Sequence, residues 1–84
     1  MKDTVHKYVI PLNNQGVVMY NHAEVLSVGS QGSDVVIWVK ENPDNVQVVR
    51  NIIGVMTGDT VDPTQKYHGT VQLPNGIVVH VFEH

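Results

Sequence analysis

Valine constrains the fold of this chain more than any other feature of the sequence. The 84 residues include 18 valines and only three leucines. Branching at Cβ restricts χ1 in a helix and suits the pleated surface of a sheet. The composition therefore predicts a mostly β protein.

Seven short strands are expected, because seven apolar stretches are separated by Gly, Asn, Asp and Pro. The stretches are TVHKYVIPL, GVVMYN, EVLSVGSQ, DVVIWVK, VQVVRNIIGVM, YHGTVQL and GIVVHVF. The turn residues of SQGSD predict an antiparallel hairpin between the third and fourth strands, and Asn75-Gly76 predicts another between the last two. The polar stretch TGDTVDPTQK is predicted to be a surface loop.

The segment 46–56 allows two interpretations. It also fits a helical stripe formed by Val49, Ile52, Ile53 and Met56. Its Val and Ile content and the Gly54 interruption favour a strand. We therefore predict that residues 1–84 form a single antiparallel β domain, a sandwich or a partly open barrel. The alternative is an α+β fold with one helix near 46–56.

Two strands have apolar side chains on both faces, which is unusual for a sheet with one face in water. Alternate residues of a strand point to opposite sides, so Trp38 and Phe82 lie opposite the main apolar rows of DVVIWVK and GIVVHVF. Water must be excluded from this second face by a closed fold, by loops or by another subunit. We predict a homo-oligomer that buries both aromatic rows.

Charge and cysteine content exclude several classes of protein. A formal net charge of −3 gives no general attraction for DNA, RNA or an anionic bilayer. The absence of cysteine rules out disulfides, thiolate nucleophiles and thiolate metal sites. No stretch approaches the roughly 20 apolar residues of a membrane helix. We expect a soluble cytoplasmic protein.

Patterns of catalytic residues are also missing. The five histidines show neither H-x-H nor H-x-x-x-H spacing, so no local pair of metal ligands is predicted. The serines lack a G-x-S-x-G elbow, and GSQGSD lacks the spacing and lysine of a phosphate-binding loop. Asp59 and Asp62 fall in the polar loop, where turn formation accounts for them. The sequence predicts no metal, no cofactor and no enzymatic activity.

The residue types favour a ligand-binding site over a catalytic site. Some side chains can combine stacking, positive charge and hydrogen bonding towards a small anion, namely Trp38, Lys40, Arg50, Tyr67 and His68. The TGD turn adds backbone donors and a carboxylate at a strand end through Thr57, Gly58 and Asp59. These eight residues are the predicted ligand site, although each also fits an ordinary strand or turn role.

The order of motifs resembles a family of short, uncharacterised all-β proteins from phages and bacteria. The resemblance spans almost the whole chain, through an L-S-V-x-x-Q strand, a Trp strand, a T-G turn, a G-T-V-Q-L strand and a V-x-H-V-F-E ending. The matching positions are Tyr8, Leu26, Ser27, Val28, Gln31, Trp38, Thr57, Gly58, Gly69, Thr70, His80 and Phe82. The family implies a small all-β fold and a phage setting, and it brings no catalytic residues.

These observations together lead to a functional hypothesis. We expect a non-enzymatic protein that sequesters a small nucleotide-like immune signal and so antagonises host defence. One alternative is an interaction module that inhibits a host protein through a strand edge and an apolar face. Another is a minor virion or structural component.

Overall fold

The computed structural model describes residues 2–11 and 13–84, which form eight strands and no helix. The strands are β1 (Thr4–Val9), β2 (Val17–Tyr20), β3 (Glu24–Gln31), β4 (Asp34–Glu41), β5 (Gln47–Arg50), β6 (Ile52–Met56), β7 (Lys66–Gln72) and β8 (Val78–Glu83). The predicted all-β fold is confirmed. No helix capable of crossing a membrane is found in these two ranges.

The strands pair antiparallel in three small sheets with the orders β1-β4-β3, β2-β5 and β6-β8-β7. The two three-stranded sheets share one connectivity, in which an edge strand comes first and a hairpin follows whose second strand lies in the centre. Both hairpins span 18 residues, 24–41 and 66–83, and both have a register shift early in their first strand. The sequence shows no internal repeat, yet the architecture occurs twice.

Both predicted hairpins are present. β3 and β4 join through a turn in which Gly32 has φ of 58°, a conformation that glycine adopts without steric cost. β7 and β8 join through Asn75-Gly76, where the Gly76 amide donates to the Leu73 carbonyl at 2.9 Å. The predicted loop also exists, because no strand occurs between β6 and β7.

The segment 46–56 contains two strands, so neither the single predicted strand nor the alternative helix is correct. β5 pairs with β2, whereas β6 pairs with β8, and the change of partner occurs at Asn51. The nearly continuous valine and isoleucine pattern does not reveal this change of sheet. For that reason the sequence predicted seven strands, whereas the structure has eight. The first predicted strand extended to Leu12, which lies outside the described residues, and β1 ends at Val9.

The core lies between the inward rows of the two three-stranded sheets. These rows and the residues packed with them include Val35, Ile37, Val39, Ile52, Val71, Val79 and Val81, together with Met19 from β2. The sheets approach closely where β3 meets β7. A Cβ added to Gly69 would lie 3.0 Å from Cγ2 of Val28, so a larger residue there would push the strands apart.

The second apolar face is partly covered by the chain itself. The Trp38 ring lies over Gly29, where an added Cβ would come within 2.7 Å of the indole. The Lys7 ammonium donates to Gln31 Oε1 at 2.5 Å, so its side chain reaches from β1 across β4 to β3. On the other sheet, Phe82 packs against Tyr67 with ring centroids 5.4 Å apart. Trp38 and Phe82 are consequently half-buried within one chain.

Candidate functional site

Each three-stranded sheet ends the inward row of its central strand in a glutamate. Glu41 follows the buried row of β4, and Glu83 follows that of β8. A histidine from an adjacent edge strand contacts each carboxylate, His6 from β1 and His68 from β7. Each half of the chain therefore has a Glu–His pair at the end of its central strand, but the histidine comes from the first strand in one half and from the hairpin in the other.

The Glu83 carboxylate is enclosed by charged donors. Arg50 donates from Nε to Oε2 at 2.6 Å and from Nη2 to Oε1 at 2.7 Å, which is a bidentate ion pair. His68 Nε2 lies 2.8 Å from Oε1, and Arg50 Nη1 also donates to the Ala23 carbonyl at 2.5 Å. This cluster links β5, β7, β8 and the β2–β3 connection.

Arg50 has the largest effect on the charge of this cluster. The pKa of Glu83 is lowered from 4.5 to about 2, chiefly by its hydrogen bonds with Arg50 and to a lesser extent by the His68 contact, against the opposing effect of burial. The same hydrogen bonds raise the pKa of Arg50. Both groups remain charged at neutral pH and hold the cluster closed.

The Glu41 carboxylate is only 1% exposed and accepts three hydrogen bonds. His6 Nδ1 and the Tyr8 hydroxyl contact Oε2 at 2.7 and 2.5 Å, and the Tyr20 amide donates to Oε1 at 2.8 Å. The pairing register explains this convergence, because His6 and Tyr8 face inward from β1 beside the Val39 end of β4. No described buried side-chain polar atom is left without a hydrogen-bond partner.

Burial alone would raise the pKa of Glu41, but the hydrogen bonds from Tyr8, His6 and the Tyr20 amide outweigh it and the pKa is lowered. Glu41 is therefore a carboxylate at neutral pH. Burial, followed by the hydrogen bond to that carboxylate, raises the pKa of Tyr8. Tyr8 consequently remains a neutral phenol that donates its proton to Glu41.

A cavity of about 330 Å³ opens beside this cluster. We call it the tyrosine cavity, and it is lined by His6, Lys7, Tyr8, Val18, Tyr20 and Gln47. β1 supplies one wall, β2 supplies another, and Gln47 begins β5. Two phenol rings, an imidazole and an amide thus border one opening, while the Lys7 ammonium is bonded to Gln31 on the outer face of the sheet.

The two Glu–His pairs differ in their access to solvent. The His68 side chain is 5% exposed and its Nε2 contacts Glu83, whereas the His6 side chain is 37% exposed and uses Nδ1 for Glu41. Arg50 fills the space around Glu83, whereas the Glu41 cluster opens into the tyrosine cavity. Of these two clusters, the Glu41 cluster is the one that borders the tyrosine cavity.

Sequence comparison places the chain in a family. The model of the domain of unknown function DUF7352 matches residues 1–84. The chain belongs to this family. No curated protein and no solved structure matches this DUF7352 chain. The resemblance to an uncharacterised domain family is therefore confirmed.

The predicted ligand residues of the DUF7352 chain are distributed over separate surfaces. Trp38 and Lys40 lie on the outer face of the β1-β4-β3 sheet, where Lys40 contacts Glu24 at 3.7 Å. Arg50 and His68 do meet, but they do so at Glu83 in the interior.

The TGD turn is linked to the outer face of the β6-β8-β7 sheet. Thr57 Oγ1 lies 2.8 Å from His80 Nε2, and Thr70 bridges His80 Nδ1 to the Tyr67 hydroxyl. Gly58 has φ of 98°, and the Asp59 carboxylate accepts from the Met56 amide at 3.3 Å. The eight predicted residues therefore do not surround one cavity, and none of them lines the tyrosine cavity.

The Glu41 and Glu83 clusters were not predicted, although the sequence contains a signal for them. The alternation that buries Val35, Ile37 and Val39 continues to Glu41, so the sequence predicts that this carboxylate points inward. A buried carboxylate requires donors, which histidine and tyrosine on a neighbouring strand supply. The described residues contain no cluster of three or more His, Cys, Asp or Glu suited to a metal ion.

Proposed function

We propose that this DUF7352 protein is a binding protein that holds a small aromatic anion of nucleotide type in the tyrosine cavity without cleaving it. The observation that carries the proposal is the convergence of Tyr8, Tyr20, His6 and Gln47 on one open cavity. Phenol rings suit stacking on a base, His6 suits a polar base edge, and the Gln47 amide can donate to a phosphate or to a base.

The lining favours binding over covalent chemistry. The six side chains around the cavity include no Ser, Thr or Cys that could act as a nucleophile beside His6. The hydrogen bonds of Tyr8 and the Tyr20 amide to the buried Glu41 also fix this wall in place. A rigid wall reduces the ordering that a ligand must impose, which favours affinity.

The resemblance to short phage proteins extends the proposal to a biological setting. In an infected bacterium, a protein that withholds a nucleotide signal without destroying it would act by stoichiometric sequestration and would antagonise host defence. This setting predicts cytoplasmic action and high abundance relative to the signal. It rests on the resemblance, whereas the ligand class rests on the cavity.

Calorimetry against a panel of linear and cyclic nucleotides tests the ligand class. At least one is expected to bind, and Gln47→Ala should weaken it by about tenfold, because a lost hydrogen bond of roughly 1.4 kcal/mol corresponds to that factor. Gln72→Ala is the matched control, since Gln72 is exposed on β7 and does not line the cavity. Absence of heat and of thermal stabilisation with every nucleotide would refute the proposal.

A second candidate function is protein–protein interaction, with a host protein or another copy of the chain. The observation that favours it is a set of exposed valines on and beside the β2-β5 sheet, where Val18, Val46 and Val49 are 52%, 70% and 62% exposed. β2 and β5 each pair only with one another among the described strands, so both also offer an unpaired edge.

A lysine substitution separates the two functions. Val49→Lys should abolish capture of a stoichiometric partner from host lysate, and any dimer seen by light scattering, because burying an ammonium in an apolar interface is costly. Val61→Lys, in the loop between β6 and β7, is the control. Capture that survives Val49→Lys unchanged would exclude this surface.

A further inference from the structure

We propose that His6 presents an unprotonated Nε2 to the tyrosine cavity, so that the bound ligand must offer an N–H donor at that point. The inference deepens the proposed function and depends on it for the ligand class. It specifies a polarity: the site selects bases with a donor on the edge that meets His6.

The assignment of His6 Nε2 as an acceptor follows from the positions of the hydrogens in the Glu41 cluster. Glu41 is a carboxylate and can only accept, so His6 Nδ1, at 2.7 Å from Oε2, must carry the proton of that contact. A neutral imidazole with its proton on Nδ1 has a lone pair on Nε2. The carboxylate also strengthens Nε2 as an acceptor, as it does for histidines that bind metals.

The cavity makes this lone pair available. His6 lines the tyrosine cavity and is 37% exposed, and no described residue forms a hydrogen bond with its Nε2. The other side chains at the opening are the Tyr8 phenol of β1, the Tyr20 phenol of β2 and the Gln47 amide of β5, whereas the Lys7 ammonium is bonded to Gln31 on the outer face of the sheet. Because Tyr8 donates to Glu41, it does not compete for the His6 lone pair.

The histidine that contacts Glu83 in the other half has a different arrangement. His68 contacts Glu83 through Nε2 and is almost completely buried, so it offers no acceptor to solvent. The two halves therefore share a Glu–His pair, but only in the first half does the second ring nitrogen face an opening. This contrast assigns recognition to His6 and a structural role to His68.

Nitrogen NMR of the imidazole ring tests the tautomer directly in the free protein. At alkaline pH, where the ring is neutral, the Nε2 resonance of His6 is expected at the position of an unprotonated nitrogen and Nδ1 at that of a protonated one. Glu41→Gln should reverse the pattern, because the amide can donate to Nδ1. A protonated Nε2 in the neutral ring of the wild-type protein would overturn the inference whatever the protein binds.

Matched ligand pairs test the selectivity. The monophosphates of uridine, inosine and adenosine are compared with derivatives in which the N–H donors of the base are replaced by N-methyl groups. Methylation is expected to weaken binding about tenfold or more in each pair that binds. His6→Ala should abolish the difference within a pair, whereas His22→Ala, an exposed histidine in the β2–β3 turn, should preserve it.

The outcomes distinguish this inference from the proposed function. If a nucleotide and its methylated derivative bind equally well, and Gln47→Ala weakens the binding of both, the inference is overturned and nucleotide binding in the cavity stands. If no member of the three pairs binds, the proposed function fails and the ligand selectivity fails with it. Loss of binding on methylation, together with the Nδ1–H tautomer, would support both.

Discussion

Replacement of Glu83 with glutamine is expected to lower the free energy of unfolding by about 3 kcal/mol at neutral pH, because loss of one partner leaves a buried charge uncompensated. Arg50 is two thirds or more shielded from water and places three of its nitrogens on Glu83 and the Ala23 carbonyl. The glutamine amide would direct N–H groups at this guanidinium. Urea unfolding followed by circular dichroism measures the change.

The pH dependence gives an independent measure of the same ion pair. The pKa of Glu83 falls from 4.5 to about 2 on folding, which corresponds to about 3 kcal/mol of stabilisation. Since the folded pKa is the lower one, this stabilisation is complete above pH 4.5 and is lost as the pH falls towards 2. The difference between wild type and Glu83→Gln should therefore narrow steadily below pH 4.5.

Glu24→Gln is the control for a charge on the surface. Glu24 is 62% exposed in its side chain and lies 3.7 Å from Lys40, so its loss should cost less than about 0.5 kcal/mol. Two results would contradict the assignment of Glu83 as the centre of a stabilising cluster. One is equal destabilisation by the two substitutions, and the other is a Glu83→Gln deficit that does not change between neutral pH and pH 3.

The sequence was sufficient to predict the parts of the fold that depend on local chemistry. Valine content predicted the strands, and Gly32 and Asn75-Gly76 predicted the two hairpins because these turns require backbone angles that few residues adopt. Alternation also separated the side chains of β4 and β8 into two rows, and the rows that contain Val35 and Val79 belong to the core. Each of these signals lies within a few residues of the chain.

Long-range pairing was not predictable in the same way. Asn51 separates a strand that pairs with β2 from one that pairs with β8, and nothing local distinguishes the partners of Val49 from those of Ile53. The meeting of Arg50 with Glu83, or of His6 with Glu41, requires that topology. The predicted ligand residues lie on separate surfaces for this reason, since residue types suited to binding do not reveal which strands are neighbours.

The two glutamates end the central strands of two sheets with the same connectivity, but they have different partners. In both sheets the last inward side chain of the central strand is a glutamate, and an adjacent edge strand supplies a histidine that contacts it. In the second half Arg50 neutralises the charge and closes the site. In the first half His6, Tyr8 and the Tyr20 amide satisfy the carboxylate, and the cluster borders the tyrosine cavity.

Replacement of Glu41 with alanine is expected to be the most damaging single change in the chain, with a loss of about 3 to 5 kcal/mol. It removes the shared acceptor of His6, Tyr8 and the Tyr20 amide and leaves these groups facing an apolar cavity. A domain of this size has a total stability of about 5 to 10 kcal/mol. We therefore expect Glu41→Ala to be partly unfolded at 37 °C, as judged by circular dichroism and thermal unfolding.

Tyr8→Phe is the matched control, because it removes one donor and leaves the Glu41 carboxylate bonded to His6 and the Tyr20 amide. Its cost should be about 1 kcal/mol. The losses of stability measured for Tyr8→Phe alone and for Glu41→Gln alone should sum to more than the loss in the double variant Tyr8→Phe/Glu41→Gln. The reason is that both single substitutions remove the same hydrogen bond. A cost for Glu41→Ala no greater than that of Tyr8→Phe, or strict additivity in the double variant, would mean that Glu41 does not organise this wall of the cavity.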